Sequence, residues 1–369
     1  MKRNLHLDNI RGLLLIIILI DHLHLHLSKL TNNTLGYSSA AEGFIFVSGL
    51  VAGMVYIARA KSSNISTVFI QAQKRSLTIY KFHIIVYSLS LLLFLNSGLI
   101  RQYWSNSYLL FATDPVNALV LGFLLLYQAD LNDILPLYSI FLLLMPFVIK
   151  AFLKNKVPFV LAISLTLYGL AQFNVIEMLT AWFNRTLGLS ADLGYFNLLS
   201  WQFLFVLGLF TGNLEINKHP RWLAFKTSRP ILLILISFLL LCFLLRHTLN
   251  KELPYASLLI NRAHLGPLRL LNFLAIAFVF NYLITRYRPR IISSFLVVLG
   301  RNSLQVFAFH VIMALCLAPM VPMIMKQGLI VEVVFTIIVV LSLWIPAFLT
   351  ETYHSGFHFK FARKMTHLH

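Results

Sequence analysis

Apolar residues cluster in long runs from one end of the chain to the other, separated by short polar or basic stretches. Each run is near the roughly 20 residues that a helix needs to cross about 30 Å of hydrocarbon. The pattern predicts ten transmembrane helices, at 10–28, 41–59, 80–100, 134–152, 157–174, 198–213, 230–246, 268–285, 293–317 and 329–350. The run 116–127 is too short to cross and is expected as a re-entrant or interfacial helix. No tandem repeat or low-complexity tract interrupts the series, so residues 1–369 are expected to form one integral-membrane domain.

Composition sharpens this to an all-α membrane bundle. Of the 369 residues 59% are hydrophobic and 11% charged, where a soluble domain has about 25% charged. A soluble enzyme, a disordered tail and a β-barrel are thereby excluded. Cys242 and Cys316 lie inside apolar runs and read as small hydrophobes rather than a disulfide or a nucleophile. The first run follows Met1-Lys2-Arg3 like a signal peptide. Asp21-His22 interrupts it, and it lacks a small-residue cleavage site, so it is expected to stay as the first span.

The balance of 30 Lys+Arg against 12 Asp+Glu, net +18, would suggest nucleic acid in a soluble protein. Here topology accounts for it, because basic residues accumulate on cytoplasmic loops. With both termini inside, 20 of the 30 cations fall on the cytoplasmic side and eight outside, Arg11 and Arg301 lying within or beside spans. Nine of the 12 acidic residues fall on the outer half. The lipid bilayer, and no nucleic acid, is the expected partner.

Ionisable side chains inside a span cost roughly 2.5–3.5 kcal/mol each on insertion scales and ordinarily face a polar cavity. The first span concentrates them, with Asp8-Asn9-Ile10-Arg11-Gly12 at one end and Asp21-His22-Leu23-His24-Leu25-His26 at the other. Arg11 and His22 are 11 residues apart, three turns and about 16 Å, and so share nearly one face. Asp21 projects about 100° away from His22. His26, at i+4, is expected on the His22 face. A His-x3-His pair is a possible metal half-site, but no cysteine or third ligand accompanies it, and no metal is expected. Near the outer end of the second span Glu42 is placed to orient a base, bind a sugar hydroxyl or touch water. Gly49 and Gly53 form a small-xxx-small seam for close helix packing. The ninth span repeats the Arg-then-His order with Arg301, Ser303 and His310. At the outer helix ends stand Asp133, Asn197, Trp201 and Gln202, residue types that suit a carbohydrate and that also make ordinary caps and interface belts.

Arg11 and His22, with Gly300, Ser303, Phe307 and His310, resemble the two motifs of the acyltransferase-3 superfamily. The segments Leu7-Asp8-Asn9-Ile10-Arg11-Gly12, Ala41-Glu42-Gly43-Phe44, Asp133-Ile134-Leu135-Pro136-Leu137-Tyr138 and Phe196-Asn197-Leu198-Leu199-Ser200-Trp201-Gln202 are similar to its OpgC-type branch, osmoregulated periplasmic glucan succinyltransferases. Where the superfamily usually has Tyr after the late Ser, this chain has Leu304. The resemblance implies an O-acyltransferase of the bacterial inner membrane. It implies a cytoplasmic acyl-CoA co-substrate and no other cofactor, a periplasmic glucan acceptor, the glucan-synthesis machinery as neighbour, and His22 as essential base. On that reading Asp21 and Glu42 assist His22, while Arg11, Arg301, Ser303, His310, Asp133, Asn197, Trp201 and Gln202 contact substrate. A different class, a proton-coupled secondary transporter, would use Asp21, His22 and Glu42 as a relay. Transporters of that kind commonly carry inverted repeats, and none is evident between the two halves of the chain.

Overall fold

A computed structural model describes residues 4–248, 256–287 and 292–353. The expected outer charges Lys251 and Glu252, the inner Arg288 and Arg290, and the basic tail lie outside these residues.

The described residues form helices and no strand, apart from an isolated bridge between Tyr127 and Asp192. In chain order the helices are α1 (Leu5–Leu23), α2 (Ala40–Ser62), α3 (Ile65–Asn96), α4 (Gly98–Trp104), α5 (Leu109–Thr113) and α6 (Pro115–Phe123). They continue with α7 (Ile134–Leu153), α8 (Val157–Gln172), α9 (Val175–Leu187), α10 (Leu198–Ile216), α11 (Pro220–Lys226) and α12 (Arg229–Thr248). The last are α13 (Ala256–Ile260), α14 (Pro267–Tyr287), α15 (Ser294–Arg301), α16 (Ser303–Leu317), α17 (Val321–Lys326) and α18 (Leu329–Ser342).

Among the described residues eight helical stretches are long and apolar enough to span a membrane, or nine if the bent pair α8–α9 is one span. The ten expected spans differ from these in three places. α1 has the length but carries Asp8, Arg11 and Asp21, too many charges for an ordinary span. Residues 175–187, expected as loop, form α9, which leaves α8 at a 64° bend. The expected ninth span is not one helix: it breaks at Asn302, where the backbone (φ −103°, ψ 31°) departs from helical values, so Arg301 and His310 sit on different helices. The short run after Asp114 is helical, as α6, with Pro115 at its first position, where the missing N–H is harmless.

The chain divides into two compact units, residues 29–289 and residues 2–28 with 290–369. In the larger, α2 packs along α10 with the backbones almost touching. A Cβ on Gly49 would lie 2.3 Å from the Phe205 carbonyl oxygen, and one on Gly208 2.4 Å from that of Phe46. The small-residue seam therefore does what its spacing implies, and Gly53 and Gly212 extend it. α3 and α7 are joined by Ser76 and Ser139, each hydroxyl donating to the other residue's carbonyl (2.8 and 3.1 Å). α6 is held against α3 by Tyr87, whose hydroxyl donates to the Ala118 carbonyl (2.7 Å), and by Tyr80 to that of Phe123 (2.8 Å). α12 exposes much of its apolar surface, Leu233 and Ile234 being 64% and 66% exposed, as a lipid-facing helix does.

The smaller unit joins α1 to α15, α16 and α18. α1 is capped by Asn4, whose side-chain oxygen accepts from the His6 and Leu7 amides. α15 lies along it at backbone contact: a Cβ on Gly12 would stand 2.0 Å from the Leu296 carbonyl oxygen, and one on Gly300 1.8 Å from that of Asp8. The Asn9 side chain accepts from the Ser293 amide (3.0 Å) and fixes the register. Because the obstacle at Gly300 is backbone, no side-chain rotation relieves it. Gly300→Val is expected to lower stability by about 1–3 kcal/mol or more, read as a lower unfolding midpoint of the purified protein in detergent; an unchanged midpoint would contradict this packing.

Candidate active site

The smaller unit brings the two sequence motifs together residue by residue. The Arg11 guanidinium donates through Nη2 to the Ser303 hydroxyl at 2.8 Å, across 292 positions of sequence. Three turns further along α1, His22 Nδ1 meets His310 Nε2 at 2.8 Å. The two imidazoles are nearly parallel (19°), with centroids 5.0 Å apart and nitrogens far closer. The rings thus meet edge to edge through a hydrogen bond and not face to face. His310 is fully buried, its Nδ1 lies 3.1 Å from the carbonyl of Phe307 one turn back, and the Phe307 ring packs edge-on against it. The break at Asn302 aims the start of α16 so that Ser303 and His310 both reach α1.

α1 ends directly after this pair. His24 adopts the left-handed conformation (φ 54°) and its amide donates to the Asp21 carbonyl. The chain then tightens into a short 3-10 turn from His26. His26 is therefore not one turn above His22 on a common helical face, which corrects the i+4 expectation. Its Nδ1 pairs with Glu332 of α18 at 2.9 Å, and the other Glu332 oxygen accepts from the Leu27 amide at 3.0 Å. Glu332 is 1% exposed. Sequence reading counted it only as an outer charge, although a lone carboxylate amid Leu-Ile-Val-Glu-Val-Val was the signal that it had a partner. Asp21 is buried. Arg301 turns to Glu351 (3.3 Å), to which Asn302 also donates; the parallel with Arg11 does not extend to its contacts.

The expected residues of the larger unit are tied into its own framework. Glu42 is fully buried and does not touch water. One of its oxygens accepts from the amide (2.9 Å) and hydroxyl (2.6 Å) of Ser39, and the other from the Arg269 guanidinium. Arg269 also donates to Asn33, and Asn272, one turn along α14, accepts from the amides of Tyr37 and Ser38. Together they clamp the segment 33–39. Neither Arg269 nor Asn272 stood out in the sequence, since each resembles an ordinary polar residue near a helix start.

Asn197 caps α10 through the Leu199 and Ser200 amides and donates to Glu177 of α9 (2.8 Å), beside which His264 stands at 3.5 Å. Trp201 is fully buried, donates to the Ala263 carbonyl and packs edge-on with Phe196, leaving no ring face open to a sugar. Gln202 exchanges hydrogen bonds with Ser164. Asp133, just before α7, is buried, and burial pushes its carboxyl up to about 7, with the charge of Asp130 adding to the shift. A cavity of about 290 Å³ opens among Glu177, Thr180, Asn184, Asp192, Phe196 and Asn197.

Chemically, the smaller unit offers a hydrogen-bonded imidazole pair at one end of α1 and a guanidinium at the other, held on one rigid helix. The described residues include no cluster of three or more His, Cys, Asp or Glu side chains fit to hold a metal. No curated protein and no solved structure matches the chain. A family model described as OpgC protein matches residues 3–355, which contain every residue of this arrangement. With nearly its whole length covered, the chain belongs to the OpgC family.

Proposed function

We propose that this protein is a membrane O-acyltransferase of the acyltransferase-3 type. It moves a succinyl group from a cytoplasmic acyl-CoA to hydroxyl groups of a periplasmic glucan, with both termini on the cytoplasmic side of the bacterial inner membrane. One observation carries the reading: two motifs nearly 300 residues apart pair in space as Arg11 with Ser303 and His22 with His310. An arginine and a histidine half-buried along one largely aliphatic helix need a reason for each, and acyl transfer supplies both.

In the proposed reaction the His22 imidazole takes the proton of a sugar hydroxyl as its oxygen attacks the thioester carbonyl. The tetrahedral intermediate collapses with cleavage of the C–S bond. The departing thiolate receives the proton from His22, giving the sugar ester and free CoA thiol and restoring the base. Arg11, positioned by Ser303, is the anchor for the phosphates of the donor. The basic inner loops, including Arg59, Lys74, Arg75 and Lys81, raise the local concentration of that anion. The separation of about 16 Å along α1 between Arg11 and His22 suits a donor whose long pantetheine arm lies along the helix.

A proton relay through Asp21, His22 and Glu42 draws no support from the geometry. Glu42 has both oxygens committed to Ser39 and to the Arg269 cation.

His22→Ala is expected to lower transfer by about 10²–10⁴-fold while the protein accumulates and unfolds as the parent does; retained activity would remove His22 from the chemistry. Arg11→Ala is expected to raise KM for acyl-CoA by about 10- to 100-fold, the worth of a charged hydrogen bond, with a smaller effect on kcat. An unchanged KM would refute the anchoring role. Mass spectra of periplasmic glucans from cells with and without the gene should differ by the acyl substituent, and identical spectra would sink the assignment of acceptor.

A further inference from the structure

The pair of imidazoles contains more information than its distance. A backbone carbonyl only accepts, so the 3.1 Å contact between His310 Nδ1 and the Phe307 oxygen requires the hydrogen on Nδ1. A second proton on His310 would make it a fully buried cation with no carboxylate among its contacts, which is expensive. His310 is therefore neutral, and its Nε2 presents a lone pair. The nitrogen facing that lone pair at 2.8 Å is Nδ1 of His22, which must then carry the hydrogen. The chain of donors runs from His22 Nδ1 to His310 Nε2, and from His310 Nδ1 to the Phe307 carbonyl. The basic lone pair of neutral His22 is left on Nε2.

We propose that His310 is a positioning residue for His22: it fixes the Nδ1–H tautomer, points Nε2 at the reacting hydroxyl, and shares the charge when His22 accepts the proton. This assignment rests on His22 being the base. It gives His310 the part that a carboxylate plays beside many catalytic histidines, with a neutral ring as acceptor. The imidazole acceptor stabilises the transient imidazolium of His22 through this hydrogen bond. The nitrogens stand 2.8 Å apart with the ring centroids 5.0 Å apart, which places the contact at the ring edges, where an N–H···N bond in the ring plane must lie.

Other titratable groups on the helices packed against α1 are engaged or distant in sequence from the pair. Glu332 of α18 is bound to His26 and the Leu27 amide, and Arg301 of α15 to Glu351. Cys316 stands later on α16, and α1 itself carries Asp8, Arg11 and Asp21.

The test compares His310→Gln with His310→Leu in the full-length protein in proteoliposomes, with succinyl-CoA and a glucose oligosaccharide as substrates. The Gln carbonyl can still accept from His22 Nδ1; Leu cannot. His310→Leu is expected to lose about 100-fold or more in kcat, with KM for both substrates nearly unchanged. It should also move the acid limb of the kcat/KM profile to lower pH, because the imidazolium of His22 has lost its acceptor. His310→Gln is expected to recover most of the rate and to keep the acid limb. Equal losses in the two variants, or an acid limb that stays put in His310→Leu, would overturn the proposal. If His22→Ala is inactive while His310→Leu is not, the base survives and the positioning role fails; if His22→Ala is active, both fail. Should His310→Leu not accumulate, a solid-state ¹⁵N spectrum of the histidine-labelled parent decides. The resonances lost in His22→Ala must be those of an Nδ1–H tautomer at neutral pH, and an Nε2–H pattern would overturn the assignment.

Discussion

The backbones of α1 and α15 approach so closely at Gly12 and Gly300 that neither position has room for a Cβ. That contact is steric and short-ranged, and it leaves almost no freedom in how the two helices slide past one another. Asn9 on the Ser293 amide locks what freedom remains. Everything placed further along inherits this register: Ser303 arrives opposite Arg11, and His310, two turns on, arrives opposite His22. Hydrogen bonds alone would be a poor ruler, because long side chains reach several positions. Glycine against backbone is a strict one, and the polar pairs then form in surroundings of low dielectric where a well-aligned hydrogen bond is strong.

The larger unit uses the same means for a different end. Its glycine seam between α2 and α10 gives dense packing without large apolar side chains, which suits a medium where burying them from lipid yields little driving force. Polar side chains near the helix ends are then spent on each other. Ser39, Glu42, Arg269, Asn33 and Asn272 form one connected group in which carboxylate, guanidinium and amide each have partners. A buried ion pair is seldom a net source of stability, since desolvation offsets its attraction. Its effect here is conformational: it specifies one path for the segment 33–39.

Much of this was readable from the chain, and what escaped did so for identifiable reasons. Arg11 and His22 share a helix and a face because 11 residues make three turns, a local relation that spacing alone reveals. The role of Gly49 and Gly53 was likewise local. The break at Asn302 falls in the polar stretch Gly300-Arg301-Asn302-Ser303, its one local signal; with no proline between 293 and 317, only the need to fit Gly300 against Asp8 and still deliver His310 to α1 makes the break intelligible. The turn that carries His26 away from His22 depends on Glu332, 306 positions away. Trp201 and Asn197 have the right residue types for a sugar site, yet composition does not distinguish an indole stacked on a ligand from one buried on Phe196. Local periodicity thus identifies helices and faces, while partners separated by hundreds of residues come only with the tertiary structure.

The smaller unit joins helices far apart in the sequence, and this bears on how the protein is made. His22 and His310 are separated by 288 positions, so at about 5–20 residues per second the ribosome delivers the second roughly 15–60 s after the first. For that interval α1, with two carboxylates and a guanidinium along its length, exists without the helices that complement it. Assembly is therefore late at this polar point: α1 finds its partners only once α15 and α16 have been synthesised.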